Sequence, residues 1–487
     1  MDEIIYYNSV GNPADKKHDT AFSYLSSLHT TKTYHQYRQS PSAINGAVNL
    51  SIGNGSHLIV ALPEKPIIHV YLYGKEQPEQ RIPIPETLSS LAICNDPLTG
   101  MPTLLIGGSI SGRLYIWSLN SGLLLSVKQP HYQSLTKIVC HSGFIATSAN
   151  DSRVVIQSLV SLLMSSDSSI EKPFAIISDH TLPVTSLLFN KGLNNDLKLY
   201  TASNDSTVRC YSLSSTSAQL TTTFVAPSPV TSLAADPAFR ALYFGMANGN
   251  IRSVPLYTTN SKTHIFEAVG GLGKIVTLKN DPDMLETFNC HAEHHKSEVS
   301  INQLKVSLDG TLLVSGDSKG SLFIIDISTK QISRKLKDLT GGIANLDLFP
   351  AKLDDDRFER KSGVDKSLVR SIPILKRVLS EQKDLFKENL ILKLNSDVVG
   401  DSHKNSFDLS QWLEMVKEEE MVFTNFTSVD SSVLNHEVAA SGTAVLGVDS
   451  NRLQDLQSEL EQKEKAFNEL RSKYDELLKE YSDVVTK

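Results

Sequence analysis

Several short stretches of this chain repeat one design, and that repetition constrains its fold more than any other feature. "LYIWSLNSG" (114–122) shows the design most clearly: a strand-like run of large residues ends in a Trp, then a turn-forming Asn-Ser-Gly. "RVVIQSL" (153–159), "TVRCYSLSS" (207–215), "NIRSVPL" (250–256) and "SLFIIDIST" (321–329) have the same shape, each after a small or polar turn such as "SANDS" or "GDSKG". With the residue closing each motif as an anchor, Trp117, Gln157, Tyr211, Val254 and Ile325 continue a degenerate copy anchored at Tyr71. The intervals are 46, 40, 54, 43 and 71 residues. Most fall near the period of about 40–45 expected of four-stranded propeller blades.

Between the anchors lie further strand signals, among them "LTKIVC", "GFIATSA", "LPVTSLLF", "LKLYTAS", "ALYFGMA" and "TLLVSGD". About four short strands per repeat, with no long helical pattern among them, suit a β-propeller or a sandwich array, and the fixed period selects the propeller. The long interval contains the polar "TLKNDPDMLETFNCHAEHHKSE", which reads as an inserted loop.

Six copies leave the ring open. "EIIYYNSV" (3–10) and "AFSYLSSL" (21–28) read as two strands without a first half; "GGIANLDLF" (341–349) and "SIPILKRVL" (371–379) read as two without a second. Joining them makes a seventh blade and removes two exposed sheet edges. The expected fold class is therefore all-β: a seven-bladed WD-repeat β-propeller over 1–395, with a C-terminal α-helical coiled-coil tail.

In a WD-repeat blade the motif Trp can join a buried network with a turn Asp, a Ser or Thr, and a His from the preceding loop. His180, Thr201, Asp205 and Tyr211 fit that plan, with Tyr in place of Trp. Trp117 holds the anchor position in its own copy. The next copy has His131 and Asp151 but Gln157 at the anchor. A buried polar group that lacks its partner is costly, so missing members are expected to give way to apolar packing.

Past the propeller the composition changes. Residues 396–450 read as a short helix and a flexible linker. "SFDLSQWLEMVKEEEMVF" places Leu409, Trp412, Leu413 and Val416 at helical spacing behind the cap Asp408. This stripe suits docking on the propeller or on another protein equally. Residues 451–487 carry a seven-residue repeat with no Gly or Pro. Its a positions are Leu453, Leu460, Phe467, Tyr474 and Tyr481; its d positions are Leu456, Lys463, Leu470, Leu477 and Val484. Leu478 and Val485, at e positions, widen the stripe. A lone helix would leave that stripe exposed and be marginal in water. Self-association through the tail is expected, with its last turns also packing on a partner helix.

Motifs for chemistry fail on inspection. "GGLGKI" (270–275) misses the phosphate-loop pattern at Ala268 and Ile275, leaving a plain glycine-rich loop. "CHAEHH" (290–295) matches no metal-ligand spacing and reads as a solvated loop. No catalytic, cofactor or metal residues are expected. A net charge of -7 gives no basic footprint for a primary grip on nucleic acid. Four widely spaced cysteines suit a reducing compartment. The N-terminus lacks a signal-peptide pattern, and no apolar run approaches membrane-spanning length. A soluble intracellular protein is expected, with no membrane contact.

The stretches "LYIWSLNSGLLLSVKQPHYQSLTKI", "NDSRVVI", "DHTLPVTSL", "DSTVRCYSL" and "SLDGTLLVSGDSKG" resemble the fungal Ipi-type WD-repeat proteins, the propeller subunits of the Rix complex. The likeness extends to the "LxxVKxxExxF" helix and the C-terminal coiled coil. It implies a non-catalytic scaffold in the nucleus, in nucleoplasm and nucleolus. Such a scaffold acts with the Rix subunit and a third, helical-repeat subunit on the pre-60S ribosomal particle. It supports removal of internal transcribed spacer 2 and recruitment of the AAA ATPase midasin, and the tail pairing points to a homodimer. DNA replication licensing is a secondary implication. Direct RNA contact stays open, as does the alternative of a generic WD-repeat adaptor in ubiquitin ligation or vesicle transport.

Overall fold

A computed structural model describes residues 2–52, 55–94, 103–164, 172–190, 197–213, 217–259, 266–278, 286–294, 299–351 and 372–380. In these residues the chain is an all-β propeller of seven blades. Blade 1 contains β1 (Asp2–Ser9), β2 (Phe22–Ser27) and β3 (Thr33–Arg38), and blade 2 contains β4 (Ala47–Ile52), β5 (Gly55–Ala61), β6 (Ile67–Leu72) and β7 (Gln80–Pro83). Blade 3 is β8 (Leu88–Cys94), β9 (Leu104–Ser109), β10 (Leu114–Ser118) and β11 (Leu124–Lys128). Blade 4 is β12 (Leu135–His141), β13 (Phe144–Ala149) and β14 (Val154–Ser158), then, past the short helix α1 (Leu159–Met164), β15 (Ala175–Ile177).

Blade 5 follows with β16 (Val184–Phe189), β17 (Leu197–Ser203), β18 (Thr207–Leu213) and β19 (Ala218–Val225), and blade 6 begins with β20 (Val230–Ala235), β21 (Ala241–Met246) and β22 (Ile251–Pro255). An insertion then forms the hairpin β23 (Tyr257–Thr259) and β24 (Phe266–Ala268). It crosses to blade 5, where β25 (Lys274–Thr277) pairs parallel with β19 as a fifth strand. The chain returns to complete blade 6 with β26 (Thr287–Phe288). After the helix α2 (Cys290–His294), blade 7 is β27 (Ile301–Val306), β28 (Leu312–Asp317), β29 (Leu322–Asp326) and β30 (Ile332–Lys335). Last comes β31 (Ile343–Ala351), which pairs antiparallel with β1 and becomes the inner strand of blade 1.

Two sequence expectations need correction here. The closing blade takes three strands from the N-terminus and one from the C-terminal side, rather than two and two. β3 supplies the outer strand, because "TYHQYR" alternates and pairs directly with β2. The described part of the segment 371–379 crosses blade 3 instead. The second correction concerns the long interval. The expected loop holds the end strand β26 and the helix α2, because the insertion begins earlier, at Tyr257.

Adjacent blades pack apolar faces against each other, and mixed core clusters such as Leu105, Trp117, Ile82 and Ile68 span blades 2 and 3. A polar device accompanies this packing. In blades 3 to 7 the inner strand slips register at its second residue, a β-bulge. The side chain at that bulge donates to the first carbonyl of the next inner strand. Ser89 Oγ reaches Leu135 O at 2.7 Å, Thr136 Oγ1 reaches Val184 O at 2.6 Å, and Thr185 Oγ1 reaches Val230 O at 2.7 Å. Thr231 Oγ1 reaches Ile301 O at 2.6 Å and Asn302 Nδ2 reaches Ile343 O at 3.2 Å.

The remaining joints, around blades 1 and 2, use asparagines. Asn345 Oδ1 accepts from Ala47 N at 3.2 Å. Asn45, in the left-handed region at φ 63°, donates its backbone N–H to Ala344 O and accepts from Leu91 N. Its side chain donates to Thr136 O at 3.1 Å and accepts from Gln303 Nε2 at 3.0 Å. One residue thus ties blades 1, 3, 4 and 7 across one end of the central channel.

Candidate interaction sites

The blade 5 turn is built as its residues suggest. His180 Nδ1 donates to Asp205 Oδ2 at 2.9 Å, and His180 Nε2 accepts from the Thr201 hydroxyl at 2.7 Å. Donating from one ring nitrogen and accepting at the other requires a neutral imidazole. Burial holds the His180 pKa below its ordinary value, outweighing the adjacent carboxylate. For Asp205, burial pushes upward but is overcome by hydrogen bonds from Thr207 and His180, which hold it below the usual carboxylate range. Tyr211 lies buried on β18 but sends its hydroxyl to Asp179 Oδ2 at 2.8 Å. It is therefore a neighbour of the triad, joined to the preceding loop.

The same arrangement recurs in blades 4 and 7. His131 spans Asp151 at 3.1 Å and Thr147 at 2.9 Å, without help from Gln157. His291 spans Asp317 at 3.1 Å and Ser315 at 2.7 Å. This third triad corrects the solvated-loop expectation for "CHAEHH": α2 buries His291 completely and packs its ring 4.7 Å from Phe323. The sequence reading missed it because its spacing is altered. His291 stands ten residues before its inner strand, where His131 and His180 stand four before theirs. Its carboxylate also follows Ser315 by two residues, where Asp205 follows Thr201 by four.

Trp117 belongs to a different lock. Its indole is fully buried, stacks on Tyr115 at 5.5 Å, and donates to the carbonyl of Lys376 at 2.9 Å. Lys376 lies in the segment 372–380, which runs as a strap along β11. Lys376 N donates to Gly122 O at 2.8 Å and Ser380 N to Leu124 O at 3.0 Å, and Leu124 and Leu379 form a parallel bridge. Ile372 and Leu375 are buried beneath it among residues of blades 2 and 3. Gly122 permits the approach: at φ 75°, a Cβ there would stand 2.5 Å from the Ile374 carbonyl oxygen. The outer side of the strap exposes Ile374, Val378 and Leu379.

Blade 3 also corrects the expectation that missing network members give way to apolar packing. Its turn is held by Glu86, which accepts from Arg113 at 2.6 Å and from the Ser111 hydroxyl at 2.5 Å. The loops entering the inner strands and the turns between second and third strands lie at one end of the blades. On that face Ile110, Tyr132 and Leu182 are exposed on blades 3 to 5, with Tyr132 79% open and Arg153 6.0 Å from its ring centre. Apolar side chains beside a guanidinium suit a protein contact. The insertion exposes Tyr257, Phe266, Leu272 and Ile275.

Leu409, Trp412, Leu413 and Val416 lie outside the described residues. So do Leu453, Leu456, Leu460, Phe467, Leu470, Tyr474, Leu477, Leu478, Tyr481 and Val484 of the tail, and the boundaries at 395 and 450. Among the described residues, no group of His, Cys, Asp and Glu is arranged to hold a metal ion, and no helix is long and apolar enough to cross a membrane.

The "WD domain, G-beta repeat" family matches residues 171–212, which hold His180, Thr201, Asp205 and Tyr211 of blade 5. Over full length the chain is similar to curated fungal proteins. It is 37% identical to the pre-rRNA-processing protein IPI3 of Candida albicans, covering 100% of both chains. It is 35% identical to IPI3 of Scheffersomyces stipitis, covering 100% of this chain and 99% of that one. For IPI3 of Saccharomyces cerevisiae the identity is 30%, over 95% and 97% respectively.

Proposed function

The chain belongs to the IPI3 family of pre-rRNA-processing proteins, and we propose that it acts in ribosome biogenesis as a non-catalytic scaffold. The observation that carries this reading is the likeness of the whole chain, tail included, to proteins named for pre-rRNA processing. A propeller stiffened by inter-blade hydrogen bonds offers fixed surfaces on which other macromolecules assemble.

In the finer reading, the protein works in the nucleus on the pre-60S particle. It joins a Rix subunit and a helical-repeat subunit, supports removal of internal transcribed spacer 2, and helps to recruit the ATPase midasin. The 451–487 heptads pair two copies, and the Trp412 stripe docks on the propeller or on a partner. A role in replication licensing is secondary. These assignments rest on the sequence resemblance and on the heptad pattern.

Depletion of the protein tests the reading. Pre-rRNA that retains internal transcribed spacer 2 should accumulate, and affinity purification should recover large-subunit precursors. Normal spacer removal after depletion sinks the proposal. Recovery of a ubiquitin ligase or a vesicle coat instead of ribosome precursors points to the adaptor alternative.

A further inference from the structure

The seven inner strands line the central channel, and they are almost free of charge. Their sequences contain two lysines and one aspartate: Lys137 on β12, Lys305 on β27 and Asp347 on β31. Asp347 is already shared, with Lys305 Nζ 3.4 Å from Oδ1 and Asn49 Nδ2 donating to Oδ2 at 3.3 Å. Lys137 has a hydroxyl for company: its ammonium donates to Ser186 Oγ, at 3.1 Å, on the neighbouring inner strand. Among the described residues no carboxylate lies within ion-pair distance of it. In a chain of net charge -7, the channel wall thus carries a local excess of positive charge.

The position of Lys137 adds to this. It follows Thr136, whose carbonyl is tied by Asn45, so it stands one residue inside the channel end that Asn45 spans. It is half-buried, while Lys305 and Asp347 are each more than two-fifths exposed. Burial first, and then the charge of Lys305, push the Lys137 ammonium down to about 8. A cation that is partly stripped of water, faces a like charge and lacks a counter-ion is relieved by an anion.

We propose that the central channel binds a small oxyanion, a phosphate or carboxylate group, with the Lys137 ammonium as the direct donor, the buried Ser186 hydroxyl holding that ammonium in place, and Lys305 adding long-range attraction. Lys137 supplies a charge-assisted hydrogen bond, Ser186 orients it, and Lys305 keeps its own partner.

The test uses the full chain with its lysines biosynthetically 13C-labelled at Cε and their ammonium groups unmodified, and the Lys137 Cε–H signal assigned by its loss in Lys137→Gln. Sodium phosphate and sodium acetate are titrated separately at constant ionic strength, with chloride as the balance. Saturable movement of the Lys137 signal at millimolar anion is expected, and Lys305→Gln and Ser186→Ala should each weaken the midpoint several-fold. Lys172→Gln, an exposed control, should leave it unchanged. A response to phosphate alone assigns the site to phosphate groups, and a response to acetate alone to carboxylates. No saturable movement with either anion overturns the proposal, as does a midpoint indifferent to both Lys305→Gln and Ser186→Ala. Melting curves for each variant confirm that the propeller is intact before its titration is scored.

Discussion

Blades 3 and 5 share one strand plan but are locked in opposite ways. In blade 5 the lock is local: His180, Thr201, Asp205, Tyr211 and Asp179 are joined by side-chain bonds between residues no more than 32 apart. Blade 3 has a local Glu86–Arg113 pair, but its buried Trp is satisfied by a carbonyl 259 residues away. Blade 5 can therefore complete its polar network as soon as its own strands meet. Blade 3 has to wait for the strap, at a larger loop-closure cost. The lesson is that the turn network is one of several interchangeable ways to satisfy a blade's buried polar atoms.

Blade 1 takes remote completion furthest, so the largest effect should come from it. Removing residues 1–10 deletes β1, the strand between β31 and β2, and leaves two unpaired edges. The truncated chain should lose cooperative unfolding of blades 1 and 7, seen as collapsed hydrogen-exchange protection in β2, β3 and β31. Protection equal to that of the full chain would break the closure.

Next in size is the strap. A chain stopped after residue 371 should be less stable than one stopped after 380 by roughly 3 kcal/mol or more. Burial of Ile372 and Leu375 is lost, and the Trp117 N–H loses its acceptor. Both truncations lack the tail, so the difference reports the strap alone. Equal melting of the two would mean that Trp117 is satisfied without it.

The local lock should be weaker. His180→Ala is expected to cost about 1–3 kcal/mol in denaturant unfolding, because the fully buried Thr201 loses its partner. Hydrogen exchange should rise first around β17 and β18. A change confined to blade 3 would contradict the comparison.

Acid separates the two locks more gently. Burial holds His131 and His180 below their ordinary value of about 6.5, so the unfolded chain takes up protons before the folded one does. Stability should therefore fall as the pH drops below about 6.5, and His180→Ala should flatten that slope. Burial raises Glu86, but hydrogen bonds led by Ser111 outweigh it and leave the group below its ordinary value of 4.5. Blade 3 should accordingly soften only as the pH falls through and below that range. Exchange measured at pH 7 and pH 5 distinguishes the blades, and equal loss in both would refute the assignment. The smallest expected effect is that of Thr231→Val, about 1 kcal/mol for one inter-blade hydrogen bond. A melting point unchanged by this substitution would show that the ring of bulge side chains contributes little.

Much of this fold was legible in the residues because its signals are short-range. Alternation, turn chemistry and a period near 40 residues place the strands, and blade 5 keeps its His, Thr and Asp at regular spacing. The blade 7 triad escaped notice when both its His and its Asp moved along the chain, although their meeting in space is the same. Where the insertion crosses to blade 5, and where "SIPILKRVL" goes after leaving β31, was equally hidden. A strand with apolar alternation fits many sheet edges, and nothing local names the one it joins.

The residue pattern alone specifies an all-β propeller of repeated four-stranded units, since each strand's alternation and each turn's chemistry are set by near neighbours. Which segments close blade 1, what satisfies Trp117, and that the strands of Lys137 and Lys305 line one channel emerge only in the folded chain. Those outcomes depend on which distant groups are left unpaired once the blades have packed, a property of the assembled ring.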